Sequence, residues 1–378
     1  LVTATLLGVE TLVFVTQLID PDDPVLGFVT SQIRVLARRF DVVVIANEVR
    51  AVPDDFPVEI VSLGKEGGAD RVTRTRRFVR AVNAAMRRQP AGFLAHMCPI
   101  YLTLAAPMTR RASVPSMLWF VHPADSPLLR VTEFLADAVI TATPGSYPRT
   151  GPKVHPIGHA IDTTAITPTP ISREPGMPLR LLALGRTSAV KGYETLVRGV
   201  AEARRTDVDV VLRIVGPSNT DGERSEREVL EQLAGTLPPG VVTLEAGIGR
   251  EQVGRIFDDV DVLVNATVSG SADKVVFEAM AAGRPVLVKS RAFDALVEGT
   301  ALPLMFDDAD DSLVECLTQL ERAPASTLRE IGSSLRERVV NENSLEHWAD
   351  QVVQVLSEIS KTPSSASARR LRQRPQGS

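Results

Sequence analysis

Short runs of Val, Ile and Leu alternate with amphipathic stretches along most of the chain, and this rhythm restricts the fold more than any other feature. Runs that are apolar on both faces, separated by helix-length segments, suit a parallel sheet covered on two sides. A first series of strands is expected at Thr11–Gln17, Asp41–Val49, Val58–Gly64, Phe93–Met97, Ser116–His122 and Asp137–Thr143, with helices over Gly27–Phe40 and Arg71–Arg88. The segment Thr163–Pro178 breaks the rhythm with Pro168, Pro170, Pro175 and Pro178 and shows no apolar period, which is linker character. A second series follows. Strands are expected at Leu179–Leu184, Val208–Val215, Val241–Glu245, Asp261–Ala266, Pro285–Lys289 and Leu302–Phe306. Helices fall near Gly192–Arg205, Ser225–Ala234, Glu251–Asp258, Lys274–Ala282 and Ala292–Glu298.

The predicted class is α/β, two doubly wound Rossmann-like domains facing a cleft. Residues 1–165 form the first and 166–178 the linker. Residues 179–343 form the second, and a final helix over 344–360 returns to the first. It carries Leu345, Trp348, Val352, Val355 and Leu356 on one face. Residues 361–378, with Arg369, Arg370, Arg372 and Arg374 among Ser, Pro and Gln, cannot build a core and read as a disordered basic tail. Such a tail is either solvated or a peripheral contact for an anionic membrane surface.

At 378 residues there is material for two cores, and a net charge of −4 gives no reason to expect nucleic acid as a partner. No apolar run reaches the ~20 residues of a transmembrane helix. The apolar opening Leu1–Val15 is interrupted by Glu10 and lacks a basic start, so it reads as an extension into the first strand rather than a signal peptide. Cys98 and Cys316 stand far apart, in no metal-ligand spacing, as small core residues of a protein in a reducing cytoplasm, or at the inner membrane face if the tail meets lipid. No metal site is expected.

The stretch Val268–Val286 carries the most chemistry. A turn containing Ser269, Gly270 and Ser271 feeds a helix whose first turn is Asp273–Val276, and unpaired amides at such a start, with the helix dipole, suit a diphosphate. Lys274, Val275 and Val276 supply those amides. Glu278, one turn on, is placed to accept two hydrogen bonds from a vicinal diol such as a ribose. Gly283 ends the helix. Upstream, Arg186 and Lys191 flank a short turn between strand and helix, and both suit the charge on a departing diphosphate, although a loop cation is more often merely solvated. The GxxxxGK[ST] phosphate loop is absent.

The pair LGRTSAVKG and DKVVFEAMAAGRPVLV, some eighty residues apart, resembles the donor-binding half of family 4 retaining glycosyltransferases, which have the GT-B fold. VTQLIDPDDPVLGFV, HMCPIY, LWFVHP, ITATPGSYP and IGHAID follow the same family's order in the N-terminal half, so the resemblance spans Thr11 to Ile359. It implies transfer of a sugar from a nucleoside diphosphate sugar, with no tightly bound cofactor, to a saccharide, lipid or small-molecule acceptor. It further implies that Arg186 and Lys191 hold the diphosphate, Glu278 the ribose, and that Gly27 approaches donor and acceptor. His122 would lie near the sugar; its other reading is a satisfied, half-buried histidine. His96, His155 and His159 are assigned structural roles, and His347 the surface.

One position departs from the family. It commonly has two glutamates eight residues apart, the first contacting the transferred sugar, and Gly270 stands in the earlier place. Asp273 either supplies the missing acceptor or caps the helix, and the cap is the favoured reading. A nucleotide-sugar epimerase and a non-catalytic nucleotide-binding module remain as alternatives.

Overall fold

The computed structural model describes residues 10–23, 25–249, 252–267, 272–309 and 311–361. The expectations placed on Gly270, Ser271 and the tail beyond Lys361 lie outside those residues. The chain divides into two compact units: the residues up to Ala160 together with those from Leu345, and Ile161–Ser344.

The first unit is built from β1 (Thr11–Ile19), α1 (Val29–Leu36), β2 (Asp41–Val49), β3 (Glu59–Ser62), α2 (Arg71–Met86), β4 (Gly92–His96), α3 (Pro99–Ala112), β5 (Ser116–Trp119), α4 (Pro127–Leu135), β6 (Ala138–Thr141) and β7 (Val154–Pro156). Its seven strands run in the order β3-β2-β1-β4-β5-β6-β7, and every pairing is parallel. Phe14 pairs with both Val44 and Leu94, so β1 is buried on both edges and both faces. That burial explains why its run of apolar residues is continuous rather than alternating.

Local chemistry sets the helices. Asp70 caps α2 by accepting the Thr73 N–H at 2.7 Å, and Phe78, Val82, Ala85 and Met86 give it a buried stripe. Ser126 does the same for α4 through Leu129 N–H, with Pro127 at the first helical position.

The second unit contains β8 (Leu179–Leu184), α5 (Tyr193–Arg205), β9 (Val210–Val215), α6 (Asp221–Ala234), β10 (Val242–Glu245), β11 (Val262–Asn265), α7 (Lys274–Ala281), β12 (Val286–Val288), α8 (Asp294–Val297), α9 (Ser312–Arg322) and α10 (Ala325–Asn343). Its five parallel strands are ordered β10-β9-β8-β11-β12. The last helix, α11 (Leu345–Lys361), belongs to the first unit, where Trp348, Val352, Val355 and Leu356 fill the core and Trp348 meets Trp119 edge-on at 5.6 Å. Among the described residues no helix is long and apolar enough to cross a membrane.

Several expected elements change. Leu302–Phe306 is reduced to one bridge between Val288 and Met305, and the described residues of Glu251–Asp258 form 3-10 and turn structure, as at Arg255–Phe257, rather than an α-helix. The stretch 166–178, expected as a linker, is packed within the second unit. Ile166 and Ile171 are in its core, and Arg284 and Arg329 donate to Thr169 Oγ1 and the Ile171 carbonyl. Prolines forbid regular structure there but do not forbid burial. His122 does not end a strand: β5 stops at Trp119, opposite His96, because β4 turns away at Met97, which has φ 55°.

Candidate functional site

In the second unit the chain builds outward from β8 to β9 and β10, then returns to the other side of β8 with β11. The loops leaving β8 and β11 therefore diverge, and the carboxyl ends of these two neighbours border a crevice of the kind in which doubly wound sheets bind ligands. The residues singled out in the sequence leave from those two ends: Arg186 and Lys191 follow Leu184, and Asp273 and α7 follow Asn265.

Lys191 Nζ lies 2.7 Å from Asp273 Oδ2, joining the two loops. The same oxygen accepts from Asn265 Nδ2 at 2.8 Å and Thr267 Oγ1 at 2.5 Å. Asp273 thus occupies the N-cap position of α7 with φ −66° and ψ 131°, but its side chain makes no capping bond, which corrects the favoured reading from sequence. Burial works against ionisation of this carboxyl. The Lys191 ammonium and the Thr267 and Asn265 donors outweigh burial and hold it below the ordinary carboxylate range. Gly192 makes the approach of the loops feasible. It has φ 64°, and a Cβ there would lie 2.5 Å from the Ala266 carbonyl oxygen.

Arg186 is exposed and pairs with Glu223 at 3.0 Å. Glu223 also accepts the Asn219 and Thr220 amides at 2.8 and 3.2 Å, and these donors keep its carboxyl low. Thr220 and Glu223 form a reciprocal capping box that starts α6, so the helix begins at Asp221 rather than Ser225. The Arg186 turn presses on the next strand end: a Cβ on Gly216 would fall 1.7 Å from the Gly185 carbonyl oxygen. The buried Tyr193 hydroxyl donates to that oxygen at 3.0 Å, and burial pushes its ionisation upward.

On α7, Glu278 is largely buried, 3.7 Å from Lys274 Nζ. Val275 is half-buried and Val276 fully buried. The Val276 N–H is bonded to the Asp273 carbonyl at 3.1 Å, so it does not face a ligand as expected. Sequence reasoning missed Glu223, Asn265 and Thr267. Only Glu223 left a local signal, the Thr220–Glu223 spacing.

The first unit has a corresponding divergence between β1 and β4. Gly27 lies in the loop after β1, its N–H bonded to the Asp23 carbonyl at 2.9 Å. A Cβ there would be 2.4 Å from the Pro21 carbonyl oxygen, so the close approach requires glycine. His122 is exposed three residues beyond β5, its Nδ1 accepting the Ala124 N–H at 3.0 Å. His96 ends β4 fully buried, stacked on Phe14 at 5.6 Å and Trp119 at 6.4 Å, and burial drives its pKa down to about 3.

Residues 178–322 match the model of the family described as glycosyl transferases group 1. Alpha-maltose-1-phosphate synthase of Mycolicibacterium smegmatis is 27% identical over 254 residues, 60% of this chain and 64% of the relative. A putative colanic acid biosynthesis glycosyltransferase of Salmonella typhimurium, WcaL, is 24% identical over 207 residues, 53% of this chain and 50% of the relative. The chain thus spans less than two thirds of these curated relatives. Among solved structures, Anabaena HepE in complex with UDP and glucose superimposes with a TM-score of 0.67 at 16% identity, covering 92% of this chain and all of that one. A glycosyltransferase from Rickettsia africae gives 0.71 at 12% identity, covering 93% and 99%. Residues 178–322 thus carry the group 1 glycosyl transferase match, and the two parallel sheets with these structural likenesses give the chain a GT-B-like fold.

Proposed function

We propose that this chain transfers a sugar, with retention at the anomeric carbon, from a nucleoside diphosphate sugar to a hydroxylated acceptor. The observation that carries this reading is the junction of Lys191 with the residue preceding α7, at the crevice between β8 and β11. Breaking an anomeric C–O bond leaves negative charge on the departing phosphate. Lys191, Arg186 and the α7 amides ahead of Val276 are donors fixed before that charge appears, the arrangement in which electrostatic stabilisation is largest. Glu278 accepts the ribose hydroxyls in this reading. The structure of Anabaena HepE with UDP-glucose supports a nucleotide-sugar donor. In the first unit, Gly27 and His122 are assigned to the sugar and acceptor side.

The test is incubation of the full chain with UDP- and GDP-sugars and saccharide, lipid and small-molecule acceptors, with the product's anomeric configuration read by NMR. A retained glycoside is the expected product. Donor that returns as its epimer identifies an epimerase, and donor bound without turnover identifies a binding module.

A further inference from the structure

Asp273 forgoes a cap that its backbone is posed to make. Its carboxylate turns away from the amides of α7 toward the carboxyl ends of β8 and β11. Three donors, Lys191 Nζ, Asn265 Nδ2 and Thr267 Oγ1, converge on Oδ2 alone. Among the described residues none donates to Oδ1. A carboxylate with one oxygen pinned by three bonds has a fixed orientation, and its second oxygen is an acceptor aimed in advance.

The sign of the charge decides what that acceptor serves. The crevice beside Lys191 and the start of α7 favours an anion, and an ionised carboxylate there repels phosphate. Its ligand must therefore be a neutral donor, and the part of a nucleotide sugar that meets this description next to the diphosphate is the sugar, with its hydroxyls.

We propose that Asp273 recognises a hydroxyl of the transferred sugar through Oδ1, while its bonds from Lys191, Asn265 and Thr267 to Oδ2 hold the carboxylate in that orientation. The assignment rests on the nucleotide-sugar reading of the crevice and names the residue that selects the sugar.

Asp273→Asn and Asp273→Glu are compared with wild type by calorimetry against UDP and UDP-glucose, and GDP and GDP-mannose. Deoxy and fluoro analogues of whichever donor turns over are then assayed. Asp273→Asn is expected to bind the bare nucleotide at least as tightly as wild type, because a negative charge has gone. For the nucleotide sugar its kcat/KM falls about 10- to 100-fold, the worth of a hydrogen bond to a charged acceptor. One deoxy position costs wild type a similar factor and costs Asp273→Asn almost nothing, a coupling that simple loss of stability does not produce. Asp273→Glu restores part of the sugar discrimination. Equal weakening of nucleotide and nucleotide sugar, or no deoxy position coupled to Asp273, overturns this proposal and leaves the transferase reading standing. Wild-type protein that binds no nucleotide overturns both.

Discussion

Arg180 clasps Asp261 across adjoining strand starts in the second sheet, Nη2 to Oδ1 at 2.7 Å and Nε to Oδ2 at 3.1 Å, while its backbone N–H donates to Oδ2 at 2.9 Å. Asp261 is wholly buried, whereas the Arg180 side chain is 31% exposed. The two ends of the pair are therefore not equivalent. Arg180→Met strands a buried carboxylate and should cost about 3–5 kcal/mol. Asp261→Asn leaves a guanidinium that can reach water and should cost about 1–2 kcal/mol. Urea midpoints of the second unit's transition measure both; equal losses would contradict the asymmetry.

Lys191 and Arg186 have the same assigned role but different surroundings. Replacing either by Ala should slow sugar transfer about 100- to 1000-fold. Lys191→Ala also removes the ammonium from the largely buried Asp273, so it should lower the melting temperature as well. Arg186→Ala removes an exposed side chain from Glu223, which keeps its two amide donors, and the melting temperature should hold. Normal turnover in both variants would remove the diphosphate assignment.

Gly192→Ala tests the contact that brings the loops together. A side chain at φ 64° costs about 1–3 kcal/mol by itself, before the added methyl meets the Ala266 carbonyl oxygen. The variant should lose stability and donor affinity together, since the α5 start must retreat from β11. Gly222→Ala, where an added Cβ meets nothing within 4 Å, is the control.

His96 gives the first unit an acid sensitivity. In the unfolded chain it takes up a proton below about 6.5, but in the folded unit only near 3. Between those values the unfolded state binds the extra proton, so stability falls as pH falls and is kept above 6.5. From pH 7 to pH 5 the loss is about 2 kcal/mol. His96→Phe should remove that part of the slope in urea titrations at the two pH values; an unchanged slope would show that His96 is not its source.

The sheets were legible because strands buried on both faces leave unbroken runs such as Asp41–Val49, and the boundaries of β2 and β8 match the expected ones. The helices α9 and α10 went unread. They carry long polar surfaces, as in Ala325–Asn343, where buried Leu328, Ile331, Leu335 and Val339 are diluted by charged and small residues. Arg186 and Lys191 stood out because a strand, a glycine and a helix start are contiguous in sequence. The place of Asp273 was not legible. Its farthest partner, Lys191, comes from another strand end some eighty residues away, and local spacing records only the cap position it declines to use.

Ile161 and Ser344 are paired side by side, and the Ile161 N–H donates to the Asn343 carbonyl at 2.7 Å, so the second unit begins and ends at one point. It is an insertion in the first, whose sheet is synthesised before it and whose α11 is synthesised after it. Until α11 emerges, the nascent first unit lacks the ring of Trp348 against Trp119 and the methyls of Leu356 over Gly92. The strands of the first unit, made before the insert, thus wait for α11 to complete their core, which leaves that apolar face uncovered while the insert is translated.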